Sequence, residues 1–322
     1  MRIAGQTFPE AEFIQPDGRV LPDYIEANAK TYYVTHDDIR LRVMLANAPT
    51  DAPRGTIIFS PGRTEFIEKY LETVGDLLAR NYTVLMVDPR GQGLSQRLLD
   101  DPLISYVADF QDYADDLAHV TNTLSPFLPK PHILMGHSMG GTIVLQSVIS
   151  GAFNPQAVIC SAPMLGIFEL DTPFLRELIR ALSYLGMSQK NLPFQKQNRG
   201  LPVSFAENKL TSDINRYEKW AAYFRTEPRL RLGPPSYGWI SAALRSMAYV
   251  NRNADKLKIP ALIVAAGADP IVDPASNLNF ARQAQAKHRV VAGAKHELMM
   301  EKDVFRDQFF ESLDKFLADN AF

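Results

Sequence analysis

The run Met135-Gly136-His137-Ser138-Met139-Gly140-Gly141 sets one serine between glycines, where an apolar stretch gives way to a helical pattern. Pro131 to Met135 reads as a short buried strand, and Thr142 to Ile149 carries apolar residues at helical spacing without a breaker. The turn between them must be sharp. Gly136 and Gly140 remove Cβ atoms that would collide there, so Ser138 can hold a strained backbone with its hydroxyl projecting from the sheet end. Such an elbow presents a nucleophile. A serine hydroxyl attacks a carbonyl effectively only when a base takes its proton and a third group holds that base.

The partners are sought downstream, in the order serine, acid, histidine. Of the six histidines only His288 and His296 follow the serine. His288 opens the β-branched segment His288 to Ala292 and reads as a strand-start surface residue. His296 ends the loop Ala292-Gly293-Ala294-Lys295-His296 and is the expected base. The apolar run Ala261 to Gly267 reads as a central parallel strand, and Asp269 two residues beyond it is the expected acid. Asp273 competes for that role, but it precedes the helical stretch Ala275 to Ala286, where an N-cap is its natural position. Acyl transfer also needs donors for the oxyanion. The backbone amides of Met139 and Arg63 are expected to supply them, the latter from Pro61-Gly62-Arg63-Thr64-Glu65 after the strand Gly55 to Ser60.

The elements that position these residues alternate. Strands are expected near Tyr32 to Thr35, Arg40 to Leu45, Thr56 to Ser60, Thr83 to Asp88, His132 to His137, Ala157 to Ser161, Ala261 to Gly267 and Arg289 to Ala292. Helical patterns separate most of them, including Phe110 to Val120 and Val304 to Phe316. This predicts an α/β fold: a mostly parallel, doubly wound sheet of about eight strands. The turn Asp88-Pro89-Arg90-Gly91-Gln92-Gly93-Leu94-Ser95 lacks the third glycine and the helix of a nucleotide loop, and reads as a tight structural turn.

From Met164 to about Val250 the alternation stops, with prolines among short helical pieces such as Phe174 to Leu185 and Tyr217 to Phe224. Residues 1–163 and 251–322 are therefore expected to form the core, and 164–250 an inserted helical cap over the active site. The cap excludes water and shapes the acyl pocket. It holds 12 Lys or Arg against 7 Asp or Glu. Arg176, Arg180, Lys190, Lys196 and Arg199 would suit an anionic head group or peripheral contact with an anionic membrane, and a solvated surface is the alternative.

Net charge is −2, which gives no nucleic-acid signature. The single cysteine, Cys160, excludes an intramolecular disulfide and fits a reducing compartment. The first residues lack the apolar region of a signal peptide, and no apolar run approaches a bilayer span. A cytoplasmic protein, or one peripheral on the inner face of the membrane, is expected. No acidic, His or Cys cluster shows metal-ligand spacing, so neither a metal nor another cofactor is expected.

Pro61 to Glu65, Asp88 to Ser95, Gly136 to Gly141, Gly267-Ala268-Asp269 and Gly293 to His296 together resemble the α/β-hydrolase superfamily, and within it the bacterial lysophospholipase and monoacylglycerol lipase group. The resemblance covers the chain from about residue 30 onward and is weak in the cap. Two departures are Pro61, where the lipases usually have His, and the bulky Arg63 in place of a small residue. The resemblance implies the α/β-hydrolase fold and a serine ester hydrolase of lipid metabolism, acting through an acyl-enzyme on a lysophospholipid or monoacylglycerol. Thioesterase, aminopeptidase, carbon-carbon hydrolase or acyltransferase activity on the same triad, and a non-catalytic ligand-binding module, are the alternatives.

Overall fold

The computed structural model describes residues 2–3, 6–16, 20–168, 172–192 and 200–322. β1 (Arg2–Ile3) and β2 (Gln6–Thr7) make a small antiparallel ribbon, and α1 (Asp23–Asn28) leads into the main sheet. The sheet contains β3 (Ala29–His36), β4 (Ile39–Ala46), β5 (Gly55–Ser60), β6 (Tyr82–Val87), β7 (His132–His137), β8 (Ala157–Ser161), β9 (Ala261–Ala266) and β10 (Lys287–Val291). Its order is β10-β9-β8-β7-β5-β6-β4-β3. The β3–β4 and β4–β6 pairs are antiparallel and the rest parallel. The β3–β4 hairpin turns on Asp37 and Asp38, both at positive φ, which suits the twist of a two-residue hairpin. This is the α/β-hydrolase architecture, with the eight strands expected. Most boundaries shift by one to three residues because ladder pairing, invisible in a single segment, extends the edge strands β3 and β10.

The central strands are buried on both faces, which is why they read as unbroken apolar runs. Ile58, Leu134, Val158 and Ile263 share one core with α3 (Gln111–Leu124), α4 (Met139–Ile149), α7 (Tyr237–Arg252) and α8 (Pro274–Gln283). Ile57, Phe59, Met135, Ile159 and Val264 face the other, filled by α2 (Leu71–Ala79) and α9 (Asp303–Asp319). Cys160 is fully buried in β8, where burial pushes its thiol pKa well up.

Between β8 and β9 lie α5 (Pro173–Leu182), α6 (Ile214–Thr226) and α7. α6 docks firmly: Tyr223 and Phe224 meet Phe66 edge-on, and Arg216 bonds Glu72 and Asp303, each at 2.7 Å. α7 sets Trp239 against Phe110. α5 buries only Ile179 and ends sooner than its apolar pattern suggests, in a kinked turn where Gly186 takes φ 88°. Glycine alone adopts that geometry freely.

A buried charge group ties β4 to the loops above it. Arg42 Nη1 donates to Glu68 at 3.0 Å and to Asp88 at 3.2 Å, and Nη2 pairs with Glu68. Burial raises the Asp88 pKa to about 6 even though Arg42 opposes the shift. Replacing Arg42 with Met leaves two buried carboxylates facing each other, a loss of about 3 kcal/mol or more. Because the folded state already holds the Asp88 proton more tightly than the unfolded chain does, stability from this group falls as pH rises through about 6. Urea unfolding of Arg42→Met should accordingly show a larger deficit at pH 8 than at pH 5; a pH-independent deficit would contradict the arrangement.

Candidate active site

Ser138 occupies φ 52°, ψ −118°, between the end of β7 and the first residue of α4. The strain is held by close packing. A Cβ at Gly136 would overlap the Gly140 carbonyl, one at Gly140 would overlap the Ser60 carbonyl, and one at Gly141 would lie 2.6 Å from Pro163 Cβ. The start of α4 therefore sits directly against Ser60 and Pro61 at the tip of β5. Helix begins at Met139, earlier than the apolar pattern from Thr142 suggests, because the two glycines are part of it.

Three of the sequence-selected residues come together here. Ser138 Oγ lies 2.9 Å from His296 Nε2, and His296 Nδ1 lies 2.6 Å from Asp269 Oδ2. The other Asp269 oxygen accepts the amides of Ile271 at 2.8 Å and Val272 at 3.0 Å, which fixes the carboxylate toward the imidazole. Asp273 instead caps α8, accepting the Ala275 amide at 2.9 Å. His288 lies within β10, away from Ser138 in the ladder. Such a chain can withdraw the serine proton and stabilise the resulting imidazolium.

The Arg63 and Met139 amides donate to no acceptor among the described residues. The loop that carries Arg63 is braced on both sides. The Gly62 amide donates to the Glu65 carboxylate, and Gln92 Nε2 donates to the Gly62 carbonyl at 2.8 Å. Gln92 belongs to the turn after β6, where Asp88 accepts the amides of Ile67 and Leu94, both at 2.9 Å. A Cβ at Gly93 would overlap the Asp88 carboxyl, so the turn closes only with glycine there. That turn is a brace for the loop.

Sequence reading passed over the ion cluster beneath. Lys69 Nζ donates to Glu65 at 2.9 Å and to Glu297 at 2.5 Å, and lies 4.6 Å from the centre of the Trp220 ring. Burial opposes the charge on Glu65, but Lys69 and His137 outweigh it and hold its pKa near 2. Burial pushes Glu297 up, with Lys69 only partly offsetting it. His137 is driven down to about 4 by burial, keeps a neutral ring bonded to the Ser161 carbonyl at 3.1 Å, and lies 4.9 Å from the His296 ring. Ligand atoms of Glu65, His137 and Glu297 lie close enough together to hold a metal. Lys69 already supplies the positive charge at that place. The signals were a glutamate three residues past Gly62 and another next to His296, neither of which reveals its partner in sequence.

A doubly wound sheet with a serine elbow, an imidazole and a carboxylate at its strand ends defines the class of α/β hydrolases. Residues 51–303 match the family described as serine aminopeptidase, S33 (Hydrolase_4), and the chain belongs to that family. It is 29% identical over 300 residues to lysophospholipase L2 of Escherichia coli K12, covering 89% of this chain and 86% of the relative. A probable lysophospholipase L2 of Haemophilus influenzae is 30% identical over 275 residues, covering 84% and 85%. A soluble variant of the monoglyceride lipase of Saccharomyces cerevisiae, solved with a substrate analogue, shares the fold at TM-score 0.71 with 20% identity, covering 96% and 99%. The chain is thus a carboxylic ester hydrolase of this family.

Lys69→Met leaves two buried carboxylates without their cation and should cost about 3 kcal/mol or more. Lys69→Arg, which retains the charge, should lose less. Urea denaturation at pH 7 measures both, and a Met variant as stable as the parent would show that Lys69 does not hold the two loops.

Proposed function

We propose that the enzyme cleaves single-chain acyl esters, lysophospholipid or monoacylglycerol, through an acyl-enzyme on Ser138. The hydrogen-bonded chain from Ser138 through His296 to Asp269, at 2.9 and 2.6 Å, carries this reading. Ser138 attacks the ester carbonyl while His296 Nε2 takes its proton, and Asp269 orients the imidazole and stabilises its charged form. The Arg63 and Met139 amides receive the oxyanion. His296 then protonates the leaving alcohol and activates water to release the acid. Names of the lysophospholipase and monoglyceride lipase relatives support the lipid substrate.

The reading extends to residues 164–250 as a cap that meets a lipid surface bearing anionic groups. Phe174, Tyr184 and Leu185 are 73 to 79% exposed on and just after α5, the helix that also carries Arg180, which lies 3.7 Å from Glu177; Lys190 follows in sequence. Exposed apolar residues beside basic ones suit an interfacial segment. Arg176 belongs to the same segment; Lys196 and Arg199, singled out in the sequence, lie outside the described residues. Among the described residues no helix is long and apolar enough to cross a membrane.

A fluorophosphonate probe should label the wild-type chain at Ser138 and fail on Ser138→Ala; equal absence of labelling in both would remove the enzyme mechanism. Asp269→Asn should lower kcat by roughly 10³ to 10⁴, as expected of a lost imidazole orienter, whereas Asp273→Asn should stay close to wild type in ester hydrolysis. The reverse order would exchange their roles. An ester panel covering p-nitrophenyl chain lengths, monoacylglycerol and lysophospholipid tests the substrate, since preference for short acyl groups contradicts the lipid reading. Sedimentation with vesicles should increase with anionic lipid content and decrease for Leu185→Asp; indifference to both would exclude the membrane-facing cap.

A further inference from the structure

Arg63 is a half-buried cation of a different kind from the others around the site. Arg42 is matched by Glu68 and Asp88, Lys69 by Glu65 and Glu297, and Arg90 by Asp116. No carboxylate among the described residues pairs with Arg63. Its Nε donates to Ser105 Oγ at 3.3 Å, Nη2 donates to the Gly233 carbonyl, and the guanidinium lies 5.5 Å from the centre of the Trp239 ring. These two bonds use Nε and Nη2 and leave Nη1 without an acceptor among the described residues. Burial pulls its pKa down to about 10, and the ionisable neighbour that acts on it is Tyr113, whose phenol burial keeps neutral. Arg97 is also desolvated without a paired carboxylate, but it is spent on the carbonyls of Gly91, Arg229 and Arg231, which join the Asp88 turn to the stretch after α6. Arg63 has no comparable set of acceptors.

Its position supplies the purpose. The Arg63 main chain belongs to the loop packed beside the serine elbow, and its side chain reaches Gly233 and Trp239, which lie just before and within α7. The side chain therefore spans from the loop of one proposed oxyanion donor to the start of the α7 region. An ester held at Ser138 has its leaving alcohol on one side of the carbonyl. In a lysophospholipid that alcohol is a glycerol that carries a phosphodiester a few bonds away, a distance an arginine side chain can match. A guanidinium fork suits two phosphate oxygens, and a phosphodiester stays anionic throughout the neutral range.

We propose that Arg63 is a specificity-determining residue whose guanidinium binds the phosphodiester of a single-acyl glycerophospholipid and thereby favours it over the neutral monoacylglycerol. This rests on the ester-hydrolase reading above and selects between its two substrates. A half-buried cation without a carboxylate is free to take an arriving anion, because the site has no internal counter-ion to displace. Neutral glycerides gain nothing from that charge.

The test compares kcat/KM for lysophosphatidylcholine and for the monoacylglycerol of the same acyl chain, in neutral detergent micelles, for wild type, Arg63→Lys and Arg63→Met. The ratio of phospholipid to glyceride should fall at least tenfold in Arg63→Met, chiefly through KM, with Arg63→Lys between the two. If both esters fall by one common factor, the side chain serves only the loop and the proposal is overturned. A measurement on the wild type needs no variant to fold: titration of tryptophan fluorescence with hexadecylphosphocholine and with hexadecylglycerol should show at least tenfold tighter binding of the phosphodiester, and equal affinity also overturns it. Because this binding is read without turnover, it separates failure of the anion site from failure of the hydrolase reading, which the fluorophosphonate probe reports.

Discussion

Everything at the site depends on how closely two backbones approach. The start of α4 lies against the tip of β5 with no room for a side chain on Gly140, and the same lack of space at Gly136 forces the chain through the positive φ of Ser138. One contact thus does two things. It projects the serine hydroxyl beyond the sheet, and it brings the first amide of the helix beside the loop that carries the Arg63 amide. The energy of a strained serine is supplied by the surrounding sheet, where β7 is held between β5 and β8 along its length.

Buried charges then keep the neighbouring loops in place. Lys69 joins Glu65, which holds the Gly62 amide, to Glu297, the residue after His296. One ammonium therefore links the loop beside Ser138 to the loop that carries His296. Arg42 performs the parallel task one layer out, holding Glu68 and Asp88 beneath the turn that braces Gly62. Desolvation is costly for each of these groups, and complementary charge at hydrogen-bond distance offsets it. Arg63 departs from this rule, having no carboxylate partner among the described residues.

The segment between β8 and β9 is two things at once. α6 and α7 are fastened to the body by aromatic edges and ion pairs, whereas α5 presents large apolar side chains outward. The fastened part and the outward part thus differ in how much of their apolar surface the body covers.

The sequence determined the strands and the polar residues at their ends. Apolar runs bounded by glycine and proline are local signals, and central parallel strands buried on both faces write them continuously, while the half-exposed edge strands β3 and β10 show only shorter β-branched or aromatic stretches; the eight strands of the main sheet were legible and only their ends moved. Ser138, Asp269 and His296 were legible too, because each ends or follows such a run in a set order. The ion cluster was not. Glu65, Lys69 and Glu297 are ordinary surface residue types, and Glu297 lies more than two hundred residues from Lys69, so only the tertiary structure shows that they share one buried site. Distances and burial likewise separated Asp269 from Asp273, one turned to an imidazole and the other to a helix end. The sequence placed a bulky arginine beside the serine elbow, but its lack of a carboxylate partner emerges only when the chain folds around it, since a charge acquires its meaning from its neighbours.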